Sequence, residues 1–351
     1  MRASALTLAL CALLASGASA GDLGESVVFD AGTQFSLEAT VDSGGRVVYD
    51  SGPSGEQSED SDTVLFHGEM KGDAAFEVSR RLDTLQWGPW TTAYVKRYPD
   101  GRFWGKAALP YGRGPLRVRA HAASGRVRSI KIYAVEVFLS TEGERRGGGG
   151  ATAGPAPGLP SVHGRAEWHA AAPSDEYEPQ VPNRMTYHHS DGRYTTTLAD
   201  SLREVKVIQD FHMHGRGWTD IAYHYLIDAA GDIIEGRPEL VVGAHAGNHE
   251  WNLDNVGVCL LGTYNPPKND PVTAQELDAL VSVGRYLVAR YHIDPNIKGH
   301  RDYHSTDCPG DELYAKRAWL RQQIARPAPA VPAAPAGLTF RPIAIVAPAF
   351  R

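Results

Sequence analysis

The segment NVGVCLLG, residues 255–262, decides how the second half of the chain folds. It is a near-continuous apolar run of strand length that begins at an asparagine and ends at a glycine. A strand that is apolar on both faces belongs in the middle of a sheet whose two sides are covered. We therefore predict a buried central strand here, with Cys259 as a small core residue.

Strand and helix patterns alternate on either side of this central strand. Further strands are predicted at 184–190 and in a hairpin over 221–238 that turns at AAGD, and helices at 197–215, 273–293 and 311–325. Thr197 and Thr273 are predicted N-caps, because a carboxylate follows each three residues later. Strands with helices on both faces make an α/β domain with a mixed central sheet, which we assign to residues 161–325.

The first part of the chain, residues 21–144, has strand signals and no convincing helical period. Short runs rich in Val, Ile, Tyr and Phe are separated by Gly, Pro, Asp and Ser, which predicts a small all-β, sandwich-like domain. Its tryptophans, such as Trp87, Trp90 and Trp104, could form a carbohydrate-stacking face or belong to the core.

Three segments lie outside the two predicted domains. Residues 1–20 read as an export signal: Arg2 precedes a short apolar run, and small residues precede a cut after position 20. A short membrane anchor is the alternative. Residues 145–160 carry four consecutive glycines followed by prolines, which predicts a flexible linker and independent folding of the two domains. Residues 326–351 are rich in proline and alanine and read as a C-terminal tail.

Charge and cysteine content narrow the classes of function. A formal net charge of −6 without a basic cluster gives no electrostatic basis for nucleic-acid binding. Removal of the signal leaves Cys259 and Cys308, which could form one disulfide. Their contexts indicate otherwise, because Cys259 lies in an apolar strand and Cys308 in a polar loop that contains histidine.

Histidines concentrate in the α/β domain: ten of the 14 fall between residues 188 and 304. His188 and His189 end a strand, so only one of them can face a given metal ion. His300 and Cys308 bracket a loop that can fold back on itself. Imidazole and thiolate together suit zinc, and three protein ligands leave a fourth position for water, as in catalytic sites.

Several motifs in this domain occur in a characteristic order. They are RAEWHA (165–170), YHHS (187–190), WTDIAYHYLID (218–228), GDIIEGRP (231–238), GAHAGNHEWN (243–252), NVGVCLLGTYN (255–265) and GHRDYHSTDCPGDELY (299–314). Together they resemble the type 2 N-acetylmuramoyl-L-alanine amidases, and within these the peptidoglycan recognition proteins and the phage-T7-lysozyme-like zinc amidases. The resemblance covers about residues 161–325.

The resemblance implies a zinc hydrolase that cuts the amide between N-acetylmuramic acid and L-alanine of peptidoglycan. His188, His300 and Cys308 match the ligands of one zinc ion, and Tyr223 and Thr306 match the catalytic tyrosine and the residue beside the oxyanion. Strand alternation would place Tyr223 and Tyr225 on the same face. Residues that could assist in binding substrate complete the predicted site: His189, His245, Trp218 and Arg237.

Two other functions are weighed against the enzyme. A non-catalytic peptidoglycan-binding receptor on the same fold typically lacks the zinc cysteine, whereas Cys308 is present here. A structural zinc domain needs a fourth protein ligand, which no motif supplies. We expect an exported monomer, periplasmic or secreted, that acts on peptidoglycan and has no transmembrane segment in its mature form.

Overall fold

A computed structural model describes residues 47–82, 86–122, 127–140 and 161–326, together with the backbone of two short strands, β1 (Glu25–Ser26) and β2 (Gln34–Phe35). The predicted signal, the linker and all of the tail except its first residue lie outside the described residues, so these assignments stay predictions. None of the helices within the described ranges has the length and apolar character that crossing a membrane requires.

The N-terminal β domain is built from two antiparallel sheets. One sheet has the order β1-β10-β4-β8-β7, with β2 also paired to β10, and the other has the order β3-β9-β5-β6. The remaining strands are β3 (Val47–Asp50), β4 (Ser61–Lys71), β5 (Ala74–Arg80), β6 (Thr91–Thr92), β7 (Tyr94–Arg97), β8 (Arg102–Gly112), β9 (Leu116–Ala122) and β10 (Ser129–Phe138).

The core of this domain lies between the two sheets. Strand β9 alternates strictly between buried and half-buried residues, as a strand with one covered face must. Phe76 projects from the smaller sheet, and its ring centroid lies 5.2 Å from that of Phe66 and 5.1 Å from that of Phe103, both on the larger sheet. The predicted all-β, sandwich-like domain is therefore confirmed.

The α/β domain contains one six-stranded mixed sheet of order β11-β14-β13-β15-β12-β16. Neighbouring strands are parallel except for the β13–β14 hairpin. Its elements are β11 (Val162–His163), β12 (Arg184–His189), α1 (Leu198–Asp210), β13 (Tyr225–Ile227), β14 (Ile233–Glu235), α2 (His249–Asn252), β15 (Asn255–Leu260), α3 (Ala274–Tyr291), β16 (Lys298–Gly299), α4 (Asp311–Tyr314) and α5 (Arg317–Ala325).

Helices cover both faces of this sheet, which explains the apolar run in β15. Val258 points to the face covered by α3 and α5 and packs with Leu280. Cys259 points to the opposite face and packs with Val205 of α1. Both faces of the strand are buried, which accounts for its near-continuous apolar sequence. The predicted α/β fold with a mixed, helix-flanked sheet is confirmed.

The predicted helices differ from the structure in where they end. Thr197 caps α1, and Thr273 and Glu276 form a reciprocal capping box at α3, as predicted. However, α1 ends at Asp210, and the chain continues as a π-helix over Phe211–Arg216. The predicted closing helix over 311–325 is two helices, α4 and α5, because the chain leaves regular α geometry at residues 315–316.

The two domains are joined by a buried ion pair that the sequence did not predict. The Arg102 guanidinium on β8 donates to Oε2 and Oε1 of Glu204 on α1 at 2.8 and 2.6 Å, and to the carbonyl of Gly68 at 2.6 Å. The side chains of Arg102 and Glu204 are 1% and 0% exposed. This bidentate geometry satisfies the two charges that burial would otherwise leave uncompensated.

A second interdomain cluster surrounds Asp210 at the end of α1. Its carboxylate accepts hydrogen bonds from Lys96 Nζ at 2.8 Å, from Trp104 Nε1 at 3.1 Å and from the hydroxyl of Tyr98. Burial acts to raise the pKa of Asp210, but these donors outweigh burial and hold the pKa below its ordinary value. Trp104 is thus a buried interface residue, and Phe211 packs beside it. Independent folding stays a prediction, and a fragment without the β domain would uncover Glu204 and Phe211.

We expect Arg102→Met to lower the free energy of unfolding by about 3–5 kcal/mol, because it leaves the Glu204 carboxylate buried without a counter-charge. Urea unfolding of the full chain measures the loss. The double variant Arg102→Met/Glu204→Leu removes both charges and should recover most of it. Arg203→Met is the control, since Arg203 pairs with Asp200 on the exposed side of α1 and should change stability by less than about 1 kcal/mol. Equal losses for Arg102→Met and Arg203→Met would contradict the prediction.

Candidate metal centre

The parallel pairing of β12 and β16 brings His188 and His300 to the same edge of the sheet. Tyr187 is paired with Gly299, and His188 and His300 directly follow these two residues in sequence. His188 is the penultimate residue of β12 and is fully buried, whereas His300 begins a single 3-10 turn and is 5% exposed. The register of the two strands therefore places the two imidazoles side by side, with ring centroids 4.7 Å apart.

Cys308 joins these histidines because its loop folds back on itself, as predicted. The backbone N–H of Arg301 donates to the carbonyl of Cys308 at 3.0 Å, which closes the loop beside His300. Gly310 then turns the chain into α4 with a φ of 90°, and a Cβ at this position would lie 2.6 Å from the backbone of Tyr264. Only glycine allows this turn. The sulfur of Cys308 ends 3.6 Å from Nδ1 of His188.

The three side chains fit a tetrahedral metal ion. One donor atom from each of His188, His300 and Cys308 lies within 4.8 Å of the others, and the described residues contain no other such group of histidine, cysteine or acidic donors. Ligands at about 2.0–2.3 Å from a tetrahedral zinc are about 3.5 Å apart, which matches the 3.6 Å between Cys308 Sγ and His188 Nδ1. Burial lowers the pKa of both histidines and raises that of the thiol, so no charge opposes a bound cation.

His189 points away from this centre, as alternation along a strand requires. Its Nδ1 accepts the backbone N–H of Tyr264 at 3.4 Å on the α3 side of the sheet. Burial lowers its pKa to about 3, with Arg301 and Lys268 adding to the shift. The structure thus places His189 apart from the three donors, and its predicted role in binding substrate stays a prediction.

His245 lies directly behind His188. Its Nε2 is 3.0 Å from the carbonyl of Asn255 and must carry the proton, because a carbonyl can only accept. Its Nδ1 is then an acceptor for Nε2–H of His188 at 3.0 Å, which leaves Nδ1 of His188 free to bind a metal. Gly257 makes the space, since a Cβ there would lie 2.5 Å from the His245 ring. His245 therefore lies on the outer side of a candidate ligand, and its predicted role in binding substrate stays a prediction.

The ring of Tyr223 also lies beside His188, with centroids 5.4 Å apart and an interplanar angle of 49°. Tyr223 precedes β13, which begins only at Tyr225. The chain bends between them, so Tyr225 packs on the α3 side while Tyr223 packs on the α1 side. The prediction that alternation keeps these tyrosines on one face was wrong for this reason. Burial raises the pKa of Tyr223 far above its usual value, so its hydroxyl remains a proton donor at neutral pH.

Cys259 contacts the site in a way that the sequence did not reveal. It is fully buried, as predicted, and both Cys259 and Cys308 are free thiols. Its register partner is His188, so the two side chains lie beside each other on the same face. Tyr223 packs against the apolar cluster that contains Cys259. Cys259 is therefore a core residue that lies beside both His188 and Tyr223.

Three further predicted residues, Thr306, Trp218 and Arg237, lie around the three donors or hold the segment that carries Tyr223. Oγ1 of Thr306 accepts the N–H of Cys308 at 3.3 Å, which leaves the threonine hydroxyl proton for another acceptor. Trp218 is 3% exposed and packs with Ala222 and Tyr223. Arg237 is 1% exposed and donates to the carbonyls of residues 220, 221 and 242, which holds the segment that carries Tyr223. Substrate contacts of Trp218 and Arg237 stay predictions.

The number of buried neutral histidines predicts that the metal-free protein is unstable in acid. Burial is the largest cause that lowers the pKa of each: to about 3 for His189, to about 4 for His245, and well below 6.5 for His188, His212, His224 and His300. The unfolded chain therefore binds more protons below pH 6.5, and stability falls as the pH drops from 6.5 towards 4. Each such histidine costs about 1.4 kcal/mol per pH unit in this window.

Carboxyls whose pKa is raised by burial act in the opposite direction but are fewer. Burial raises the pKa of Glu276 to about 7, that of Asp191 to about 6 and also that of Asp228, so protonating them as the pH falls stabilises the folded state. Urea unfolding of chelator-treated protein should show a steep net loss of stability between pH 6.5 and 5. A stability that is level over this range would show that the histidines are not buried in their neutral form.

Comparison with known proteins identifies the family to which this geometry belongs. A family model described as N-acetylmuramoyl-L-alanine amidase matches residues 178–311. Peptidoglycan-recognition protein SC2 of Drosophila melanogaster is 32% identical over 165 residues, which are 45% of this chain and 86% of that protein. Peptidoglycan recognition protein 1 of Bos indicus is 35% identical over 158 residues, which are 44% of this chain and 80% of that protein.

Among solved structures, wild-type PGRP-LB of Drosophila is 32% identical and aligns with 44% of this chain and 91% of its own, with a TM-score of 0.41. The match to the sequence relatives extends over most of their length. The chain therefore belongs to the family of type 2 N-acetylmuramoyl-L-alanine amidases and peptidoglycan recognition proteins.

Proposed function

We propose that this protein is a zinc-dependent N-acetylmuramoyl-L-alanine amidase, which hydrolyses the amide between N-acetylmuramic acid and the L-alanine of the peptidoglycan stem peptide. The observation that carries the proposal is the convergence of His188, His300 and Cys308 at one buried point, with Tyr223 beside them. A receptor that only binds peptidoglycan has no need of these three donors. A structural zinc site would require a fourth protein ligand close to them.

The donor set suits zinc in a hydrolytic role. Two neutral imidazoles and one thiolate would hold the ion through Nδ1 of His188, one ring nitrogen of His300 and Sγ of Cys308, leaving one tetrahedral position for water or substrate. Bound there, zinc supplies Lewis acidity and lowers the pKa of its water to about 7, so that hydroxide is available at neutral pH.

Tyr223 and Thr306 would stabilise the charge that develops on the scissile carbonyl oxygen. Burial keeps the Tyr223 hydroxyl protonated, and its ring lies beside His188, so it can donate to an oxyanion formed at this centre. The hydroxyl proton of Thr306 is similarly available, because its oxygen already accepts from Cys308 N–H. A preorganised donor of this kind contributes about 3 kcal/mol to the transition state.

The proposal extends to location and substrate. Peptidoglycan lies outside the cytoplasmic membrane, and the predicted signal at residues 1–20 would export the chain to the periplasm or the medium. The similarity to peptidoglycan recognition proteins supports peptidoglycan as the polymer that the site binds. We propose that the mature chain acts as a monomer, because the three donors and Tyr223 all come from one polypeptide.

Mass spectrometry of digested peptidoglycan tests the proposal. The mature protein with bound zinc should release stem peptides with free L-alanine amino ends and leave the glycan strands uncut. New reducing sugar ends, or cleavage between two amino acids of the stem, would assign the protein to another class of hydrolase. Binding to the wall without any product would favour the receptor instead.

A further inference from the structure

A second histidine lies behind His300, as His245 lies behind His188. Nε2 of His304 is 3.0 Å from Nε2 of His300, and the two rings meet edge to face with centroids 4.7 Å apart. Neither His245 nor His304 belongs to the cluster of three mutually close donors. Both of these histidines therefore contact a candidate ligand from its outer side.

The position of His304 is determined by packing against another part of the chain. Its ring stacks on Trp251 of α2, with an interplanar angle of 10° and centroids 5.9 Å apart. Gly247 lies next to the same ring: a Cβ there would be 3.2 Å from Nε2 of His304. The backbone N–H of Trp251 is bonded at 2.9 Å to the Asn248 side chain that caps α2. Gly247 and the start of α2 thus limit where the His304 side chain can point.

We propose that His304 is a positioning residue that sets the tautomer and orientation of His300 for metal binding. The inference rests on the proposed zinc site. A hydrogen bond between two ring nitrogens requires one to donate and the other to accept. Because the Nε2 of His300 faces His304, its Nδ1 is the nitrogen left for the metal, and this nitrogen has a lone pair only when Nε2 carries the proton. His304 Nε2 is then the acceptor.

The two histidine ligands would consequently be held by matching contacts. His188 is hydrogen-bonded to His245, which is hydrogen-bonded to the carbonyl of Asn255. His300 is hydrogen-bonded to His304. Partners that fix the tautomer of a metal-binding histidine typically change metal affinity by about 10–100-fold when they are removed. His304 acts through His300 and makes no contact with substrate in this arrangement.

Zinc affinity of the full mature chain, measured by competition with a chromophoric chelator at pH 7.5, tests the inference. We expect His304→Ala to raise the zinc dissociation constant about 10–100-fold while the melting temperature of the metal-free protein stays close to that of the wild type. His163→Ala is the matched control, since His163 lies on β11 at the opposite edge of the sheet and contacts Glu167. It should bind zinc as the wild type does.

Nitrogen NMR of the zinc-bound wild type provides a test that needs no variant. We expect the ring proton of His300 on Nε2, with Nδ1 bound to the metal. The opposite tautomer, or an unchanged zinc dissociation constant in His304→Ala, would overturn the inference while leaving the zinc site intact. A wild-type protein that binds no zinc at all would instead overturn the proposed function on which the inference rests.

Discussion

Cys308→Ala should abolish hydrolysis of peptidoglycan and reduce bound zinc from about one ion per chain to a trace. Only two protein ligands, His188 and His300, remain in this variant, and they supply no negative charge to offset that of the ion. Metal analysis of the purified mature protein measures the loss of zinc. Release of muropeptides from purified cell walls measures the loss of activity.

Cys259→Ala is the matched control, because it removes the other free thiol without removing a ligand. It should keep its zinc. Zinc content is the readout for this control, because Cys259 packs near Tyr223 and its removal could change activity through that residue. A Cys308→Ala protein that retains wild-type zinc content or wild-type hydrolysis would exclude the proposed metal site.

Tyr223→Phe should lower turnover about a hundredfold, with zinc content and thermal stability nearly unchanged. The substitution keeps the ring that packs on His188 and removes only the oxygen. A contact made only in the transition state affects kcat more than KM. Steady-state kinetics on a soluble muramyl peptide separate the two constants.

Tyr225→Phe provides the comparison for this variant. The hydroxyl of Tyr225 donates to Oε2 of Glu239 on the α3 side of the sheet, away from the metal centre. Its removal should leave turnover unchanged and cost about 1 kcal/mol of stability. Wild-type turnover in Tyr223→Phe would reassign Tyr223 to packing and leave the oxyanion to Thr306 and the metal.

The candidate ligands could be predicted from sequence because each belongs to a short motif with a local structural cause. Strand alternation allowed only one of His188 and His189 to face a metal, and the resemblance to amidases selected His188. His300 and Cys308 lie eight residues apart, on a loop that ends at a glycine with positive φ. Strand alternation and turn residues depend on neighbouring positions in the sequence, so they can be predicted without the tertiary structure.

Tyr223 shows where the same argument failed. Alternation is valid only inside a strand, and the strand begins two residues later, at Tyr225. Arg237, which follows β14, donates to the carbonyls of Asp220 and Ile221 just before the bend. No local sequence pattern predicts such a contact. The face of the sheet on which Tyr223 lies therefore depends on tertiary packing.

The sequence by itself determined the two fold classes, the capped helices and the central strand. These features depend on periodicity, capping residues and turn residues, which act over a few positions, whereas the candidate metal ligands came from the resemblance to amidases. Only the tertiary structure decided which ring nitrogen of His188 and of His300 faces a second histidine, and that Tyr223 packs against the cluster containing Cys259. It also decided that Arg102 and Glu204, 102 residues apart, join the two domains. Those outcomes follow from strand register and from the burial of charged side chains between surfaces that are far apart in sequence. The energy of such a side chain depends on residues of other segments, so its own segment cannot predict it.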